Sequence, residues 1–229
     1  MKGWSFYIAI FVFFIGLVMY SIQCMSNKPE LIVYPEHVYN VFWTGGYDST
    51  FLVLYLLKFG NVQPVYLHGD GFSRKNKREE IHAMNNIRQS IQSNHILLPT
   101  KYVDNQILDK DILDAAKEAR DAYKGTILIN QYTYMAQYCK DNHCIAHVGI
   151  VRSADYWSEV PIIDKGTTRC RNETRRLYNN FRFPCIHLSK DEMRTLLNDD
   201  TALKKTWSCR NPVGGKQCGQ CSVCKHRIV

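Results

Sequence analysis

Four cysteines near the carboxyl end constrain this chain more tightly than any other feature. The segment TWSCRNPVGGKQCGQCSVCKHR places Cys209, Cys218, Cys221 and Cys224 in a C-x8-C-x2-C-x2-C pattern. Two-residue gaps let neighbouring thiolates converge on one tetrahedral ion, and Pro212, Gly214, Gly215 and Gly219 shape the turns between them. Four thiolates with no open position describe a structural zinc centre, not a catalytic one. Spacing alone does not separate zinc from an iron–sulfur cluster. Disulfide pairing is the alternative, but C-x2-C-x2-C is awkward for pairing and common for metal.

The chain holds nine cysteines, an odd number that cannot all pair internally. The other five (Cys24, Cys139, Cys144, Cys170, Cys185) are scattered and read as small core residues. Cys139, His143, Cys144 and His147 suggest a second metal site by letter, although a helix end entering a buried strand accounts for them better. Metal-binding thiolates with an odd remainder point to a reducing compartment. With 229 residues, 45% hydrophobic and 22% charged, the chain has room for one medium domain. That composition excludes a disordered or collagen-like chain. A formal charge of +8 favours anionic partners such as nucleotide, nucleic acid or a membrane surface.

Residues 3–27 carry no charge, and Trp4–Ile22 is nearly all apolar. As a helix that run spans about 28 Å, close to the ~30 Å hydrocarbon core of a bilayer. Trp4 and Tyr20 stand near its ends, where aromatic rings favour the headgroup boundary. We read residues 1–24 as a single transmembrane anchor and 25–37 as a linker. A cleaved signal fits less well, since the apolar run is long and no small-x-small site follows; a buried core helix is the third option. Lys2 and Lys28 flank the run almost evenly, so charge does not set the orientation.

Beyond the linker, strands and helices alternate. A strand at Tyr39–Trp43 runs into TGGYDST and an apolar helix that ends at Gly60. A second strand, Val62–Leu67, breaks at HGDG. The spacing then predicts a polar helix over 75–93, a third strand from HILLPTKYV, helices at 109–123 and near 127–141, and a strand at Cys144–Val151. Such alternation implies parallel βαβ units, hence an α/β domain over 38–205 followed by the cysteine tail, 206–229.

The loop Thr44–Thr50 has the composition of an anion cradle. Gly45 and Gly46 allow a sharp turn and close approach to a ligand. The hydroxyls of Thr44, Ser49 and Thr50 can donate to phosphate oxygens, and a helix beginning near Ser49 presents free N–H groups. Bare phosphate would repel Asp48, so a place beside magnesium, or in fixing the loop, suits it better. The plain alternative is a glycine turn with Asp48 or Ser49 as an N-cap. Neither GxxxxGK[ST] nor GxGxxG is present.

The loop and the TWSC…CGQCSVC…Arg227 tail together resemble the 7-cyano-7-deazaguanine synthases, PP-loop ATP pyrophosphatases of the queuosine pathway. Residues 184–192 (PCIHLSKDE) are similar to that family's P-L-x-x-L-x-K-x-E segment, and Gly149 and Asp155 stand where it has a glycine-ended strand followed by an aspartate. The resemblance spans roughly residues 38–228. It implies a Rossmann-like sheet of five parallel strands, of the adenine nucleotide alpha hydrolase type, with helices on both faces and a small zinc-bearing appendage. It also implies ATP, magnesium and zinc as cofactors, and a purine-like carboxylate (7-carboxy-7-deazaguanine) and ammonia as substrates. The acid is adenylated, ammonia displaces AMP, and a second dehydration yields the nitrile.

By the same resemblance Thr44, Gly45, Gly46, Asp48, Ser49 and Thr50 hold ATP, with His68 and Asp70 at the end of the second strand near the adenosine. Asp48 and Lys190 are the catalytic candidates, Lys190 as the cation near the substrate acid; a solvated lysine opening a helix is its alternative. The departures fall on the substrate side: Lys124-Gly125-Thr126 replaces an Arg-Asn pair, with Asn130 displaced, and SADYWSEVP replaces a Tyr-Pro-Asp-Cys-Arg run. A transmembrane anchor is also foreign to the pattern. ATP binding therefore carries over better than substrate identity. A tRNA-modifying PP-loop enzyme and a degraded, membrane-tethered nucleotide-binding module are the competing readings.

Basic clusters at Arg74–Arg78 and at Arg169, Arg171, Arg175 and Arg176 could track RNA phosphates. A solvated helix face, or a loop near bound triphosphate, is the reading adopted. Soluble ATP and reduced thiols place the catalytic domain in the cytosol, giving a single-pass membrane protein with an outside amino terminus. A homo-oligomer is compatible with the sequence, which does not name the oligomeric state.

Overall fold

The computed structural model describes residues 37–68, 76–104, 106–122, 128–151, 175–197, 201–209 and 211–225. Strand β1 (Val38–Phe42) occupies the middle of a five-stranded sheet. Its sequence requires that place: Tyr39, Val41, Phe42 and the following Trp43 are all buried, so both faces must be covered. Helix α1 (Tyr47–Leu56) follows. Past its first turn it is apolar all round, with Phe51, Leu52, Val53 and Leu56 fully buried, as a helix covered on every face must be.

Strand β2 (Asn61–Leu67) pairs in parallel with β1, with Phe42 opposite Val65. Helix α2 (Lys77–Arg88) buries one stripe, Ala83, Met84 and Ile87. Strand β3 (Lys101–Val103) adds to the far side of β2. Helices α3 (Lys110–Ala122) and α4 (Leu128–Asp141) lead back to β4 (Ala146–His147), which pairs with the other edge of β1, Val41 opposite His147. A short helix, α5 (Arg175–Tyr178), precedes β5 (Phe181–Arg182), which pairs with β4. Two further helices, α6 (Lys190–Leu196) and α7 (Thr201–Lys204), connect to the tail, where α8 (Ser222–Lys225) is one turn.

The strand order is β3-β2-β1-β4-β5, with every neighbouring pair parallel. This is the expected Rossmann-like α/β sheet. Apolar residues of α3, α4 and α5 form one core with Phe42, Val65 and Phe181 on one face. On the other face, where Tyr39, Val41 and Trp43 point, lie α1 and α2; Tyr66 donates from its hydroxyl to Glu80 of α2 at 2.8 Å. The chain builds outward from β1 through β2 to β3, then restarts at β4 on the opposite edge. The sheet therefore reverses between β1 and β4, and the crevice beyond their carboxyl ends is where such sheets take ligands.

Two strand expectations need correction. The stretch HILLPTKYV is regular strand only at Lys101–Val103, with Leu97 making an isolated bridge to Val62. Pro99 cannot donate to a ladder, and the Arg88 guanidinium takes the place of a strand partner. It donates to the carbonyls of Leu97 (2.9 Å) and Leu98 (3.0 Å) and to Thr100 Oγ1 (3.0 Å). Likewise only Ala146–His147 of the expected strand Cys144–Val151 is regular. Beyond it the chain leaves the ladder to pass Gly149 against the start of α1.

Among the described residues no helix is long and apolar enough to cross a membrane. The anchor expected at 1–24, and all of the linker except His37, lie outside the described residues.

Candidate functional site

The loop after β1 is tied at its base. The Trp43 amide donates to the Val65 carbonyl at 2.9 Å, and its indole Nε1 donates to Thr50 Oγ1 at 3.0 Å. Gly45 adopts φ +69, a left-handed conformation, and a Cβ there would stand 3.0 Å from the Glu80 carbonyl and 3.1 Å from Met84 Cγ. Only glycine meets both demands. Gly46 is the N-cap of α1 and has no side chain to offer the first-turn amides, which are left for a ligand or solvent. Thr44 and Ser49 hydroxyls lie 3.4 Å apart, and the Ser49 hydroxyl donates to the Gly46 carbonyl at 3.3 Å.

These groups open into a cavity of about 330 Å³ at the carboxyl ends of β1 and β4, the reversal point of the sheet. Val148–Val151 form one wall; Gln131, Tyr132 and Met135 of α4 form the next; Asn76 and Glu80 of α2 and the segment Trp207–Cys209 complete it. Lys190 enters from the first turn of α6, which Ser189 caps reciprocally with Glu192: the Ser189 amide donates to Glu192 Oε2 (2.6 Å) and the Glu192 amide to Ser189 Oγ (3.2 Å). Lys190 Nζ stands 5.9 Å from the Tyr47 ring centroid.

Asp48 lines the cavity with its Oδ1 atom buried and without a hydrogen-bond partner. Burial pushes its carboxyl above the ordinary range, and the nearby Lys190 charge pulls it back. Tyr47 is likewise raised by burial, with Arg194 opposing. Fully buried Cys185 is raised by burial and then by the Asp48 charge, so it is an inert thiol. Asp48 lines the cavity and has one buried carboxylate oxygen without a protein partner, a donor that suits a divalent cation, so Asp48 would be the holder of magnesium.

The four tail cysteines converge as expected. Their Sγ atoms all lie within 4.8 Å of one another, and all four are free thiols. The Cys218 amide donates to Cys209 Sγ at 3.2 Å and the Cys221 amide to Cys218 Sγ at 3.3 Å. The Cys221 amide is the main cause that holds the Cys218 thiol below its ordinary value. Gly219 turns the chain at φ +69, and Gly214 (φ +57) and Gly215 (φ +73) close a two-residue hairpin between Val213 and Lys216. Four thiols supported by backbone amides suit a tetrahedral metal and zinc in particular. Among the described residues this is the one such cluster.

Cys139, His143, Cys144 and His147 form no such group. His147 is buried edge-on to Tyr39, its ring centroid 5.4 Å away, with Nδ1 3.3 Å from the Asn40 carbonyl. Burial depresses it to about 4.

No protein-family model and no curated protein matches the chain. Among solved structures it is similar to a predicted subunit of tRNA methyltransferase from Methanocaldococcus jannaschii, at 17% identity and a TM-score of 0.43, over 71% of this chain and 74% of that one. It is also similar to NMN synthetase from Francisella tularensis, at 15% identity and a TM-score of 0.38, over 82% of this chain and 71% of that one.

Thr44, Gly46, Asp48, Ser49 and Lys190 are thus brought together around one cavity. Lys190 is a wall residue and not merely a solvated helix start. Thr50 takes another part: α1 begins at Tyr47, two residues before the expected start, which turns Thr50 inward under Trp43, fully buried. His68 directly follows β2 but does not line the cavity; its Nδ1 lies 2.9 Å from Lys77 Nζ and 3.6 Å from an Asp104 oxygen. Asp70 lies outside the described residues, as do Cys24, Cys170, Lys124-Gly125-Thr126 and SADYWSEVP. Sequence reasoning missed Asn76, Glu80 and Gln131, which sit in unremarkable polar helical stretches. It assigned Trp207 and Ser208 to the metal appendage alone, although the proximity of TWSC to the loop was implicit in their joint resemblance.

Proposed function

We propose that this chain is an ATP-dependent carbon–nitrogen ligase of the PP-loop type, resembling 7-cyano-7-deazaguanine synthase. The observation that carries the reading is the loop Thr44–Ser49, which turns an uncapped helix start into a cavity shared with Lys190. First-turn amides and the hydroxyls of Thr44 and Ser49 would cradle the β- and γ-phosphates of ATP. Lys190 would draw the substrate carboxylate beside the α-phosphate and stabilise the charge that builds there. A carboxylate oxygen attacks the α-phosphorus, the bond to the bridging oxygen breaks, and pyrophosphate leaves. Ammonia then adds to the acyl carbon and AMP departs, giving the amide; a second ATP adenylates the amide oxygen with loss of pyrophosphate, and departure of AMP with the nitrogen's protons leaves the nitrile. Magnesium, held by Asp48, would neutralise phosphate charge. Zinc, held by the four tail cysteines, would be structural.

The purine-like ring would lie against Tyr132 and Met135, the apolar wall, with the Gln131 amide at its edge. Residues 1–24 would tether the domain to a membrane with its cavity in the cytosol; protease protection of intact vesicles tests that placement. The purified full-length protein should release pyrophosphate from ATP when given 7-carboxy-7-deazaguanine and ammonia. Absence of release with every purine-like acid overturns the substrate; absence of ATP binding overturns the site.

A further inference from the structure

We infer that the cysteine centre sets the shape of the nucleotide cavity, and that Asn76 and Trp207 are the positioning residues that connect the two. This rests on reading the four cysteines as a metal site and the cavity as the ATP site. Cys209 belongs to both places at once. Its Sγ is in the cysteine cluster, where it accepts from the Cys218 amide at 3.2 Å, while its carbonyl accepts from Asn76 Nδ2 at 2.7 Å on the cavity wall. Two residues earlier, the Trp207 amide donates to the Gly45 carbonyl at 2.8 Å. A Cβ on Gly46 would stand 3.6 Å from the Trp207 carbonyl, so the Trp207 backbone lies directly over both loop glycines.

Among the described residues the tail beyond Cys209 is lightly held, with Gln217 Nε2 donating to the Thr206 carbonyl at 3.4 Å. Its hairpin carries Val213 at 72% exposure, the space around Gly214, Gly215 and Gly219 is open, and its helix is a single turn. A segment with so little buried apolar surface takes its order from a shared ion. Cys209 is the one ligand of the four that is buried; Cys218, Cys221 and Cys224 are half-buried. Metal loss would therefore free the outer three first, release Cys209, and loosen both hydrogen bonds, Cys209 with Asn76 and Trp207 with the loop. The metal site thus acts as a clamp on the Trp207–Cys209 wall of the cavity, beyond its part in folding the appendage.

The test uses the full-length protein, zinc-loaded and chelator-stripped, with two readouts: amide hydrogen exchange and ATP titration by intrinsic fluorescence. Stripping should accelerate exchange at the Trp207 amide while α3 and α4 stay protected, and should weaken ATP binding by about tenfold, the scale expected for losing a hydrogen bond or two. Asn76→Ala should retain its zinc yet show the same acceleration at Trp207 and a similar loss of ATP affinity. Unchanged Trp207 protection in the stripped protein overturns the inference. If stripping unfolds the whole domain, zinc-loaded Asn76→Ala decides, and wild-type protection at Trp207 in that variant overturns it. If no form binds ATP, the proposed function fails, while the exchange readout still judges the clamp.

Discussion

A methyl group at position 149 meets backbone on the one side where nothing can yield. The Cβ of Gly149→Ala would stand 2.8 Å from the Asp48 carbonyl oxygen and 2.9 Å from both the Asp48 carbonyl carbon and the Ser49 nitrogen. No side-chain rotation relieves contacts to backbone atoms. Relief requires α1 to move, and α1 is enclosed on every side, with Phe51, Leu52, Val53 and Leu56 fully buried. Overpacking of this kind costs about 1–3 kcal/mol. For a chain of this size each kcal/mol lowers the melting temperature by about 2–4 °C, so a fall of roughly 2–12 °C is expected. The displaced atoms belong to the first turn of α1, whose residues Tyr47, Asp48 and Ser49 line the cavity, so ATP affinity should fall in parallel. Thermal melting and ATP titration of the same preparation read both effects. A variant that melts within about 1 °C of wild type and binds ATP normally would refute the close approach of β4 to the loop.

Lys190→Ala should lower pyrophosphate release by about 10²-fold or more, as loss of a charge-stabilising group does. Its melting temperature should hold, relief of a cation at a helix start offsetting the lost attraction to buried Asp48. Cys221→Ser should lose the metal, read by elemental analysis as a fall from about one zinc per chain. His147 makes folding pH-dependent: burial lowers it from 6.5 to about 4, so the unfolded chain binds the proton more readily. Stability should therefore be flat above pH 7, decline between pH 6.5 and 4, and lose about 3 kcal/mol across that window. Urea midpoints against pH would show this slope, and His147→Gln should flatten it.

Local patterns explain which parts of this protein were legible in advance. A helix with one apolar stripe records its own boundaries, so α3 and α4 lie within two residues of expectation. Cysteine spacing and glycine turns are also local, and the four thiols and the Gly214-Gly215 hairpin fall where their letters imply. The short strands β3 and β4 escaped because their limits are set elsewhere. Arg88 replaces a ladder partner for one, and the approach of Gly149 to α1 ends the other. Glu80 and Asn76 look like solvent-facing residues of a polar helix until the fold sets that helix against the loop.

By itself the sequence determined the α/β class, the glycine-and-hydroxyl loop after the first strand and the grouping of the four tail cysteines, since each is carried by neighbours a few residues apart. Only the tertiary structure decided which hydroxyls face the cavity, that Lys190 joins them, and that Trp207 closes on Gly45. The last two link residues more than a hundred positions apart, and only packing across the sheet selects them.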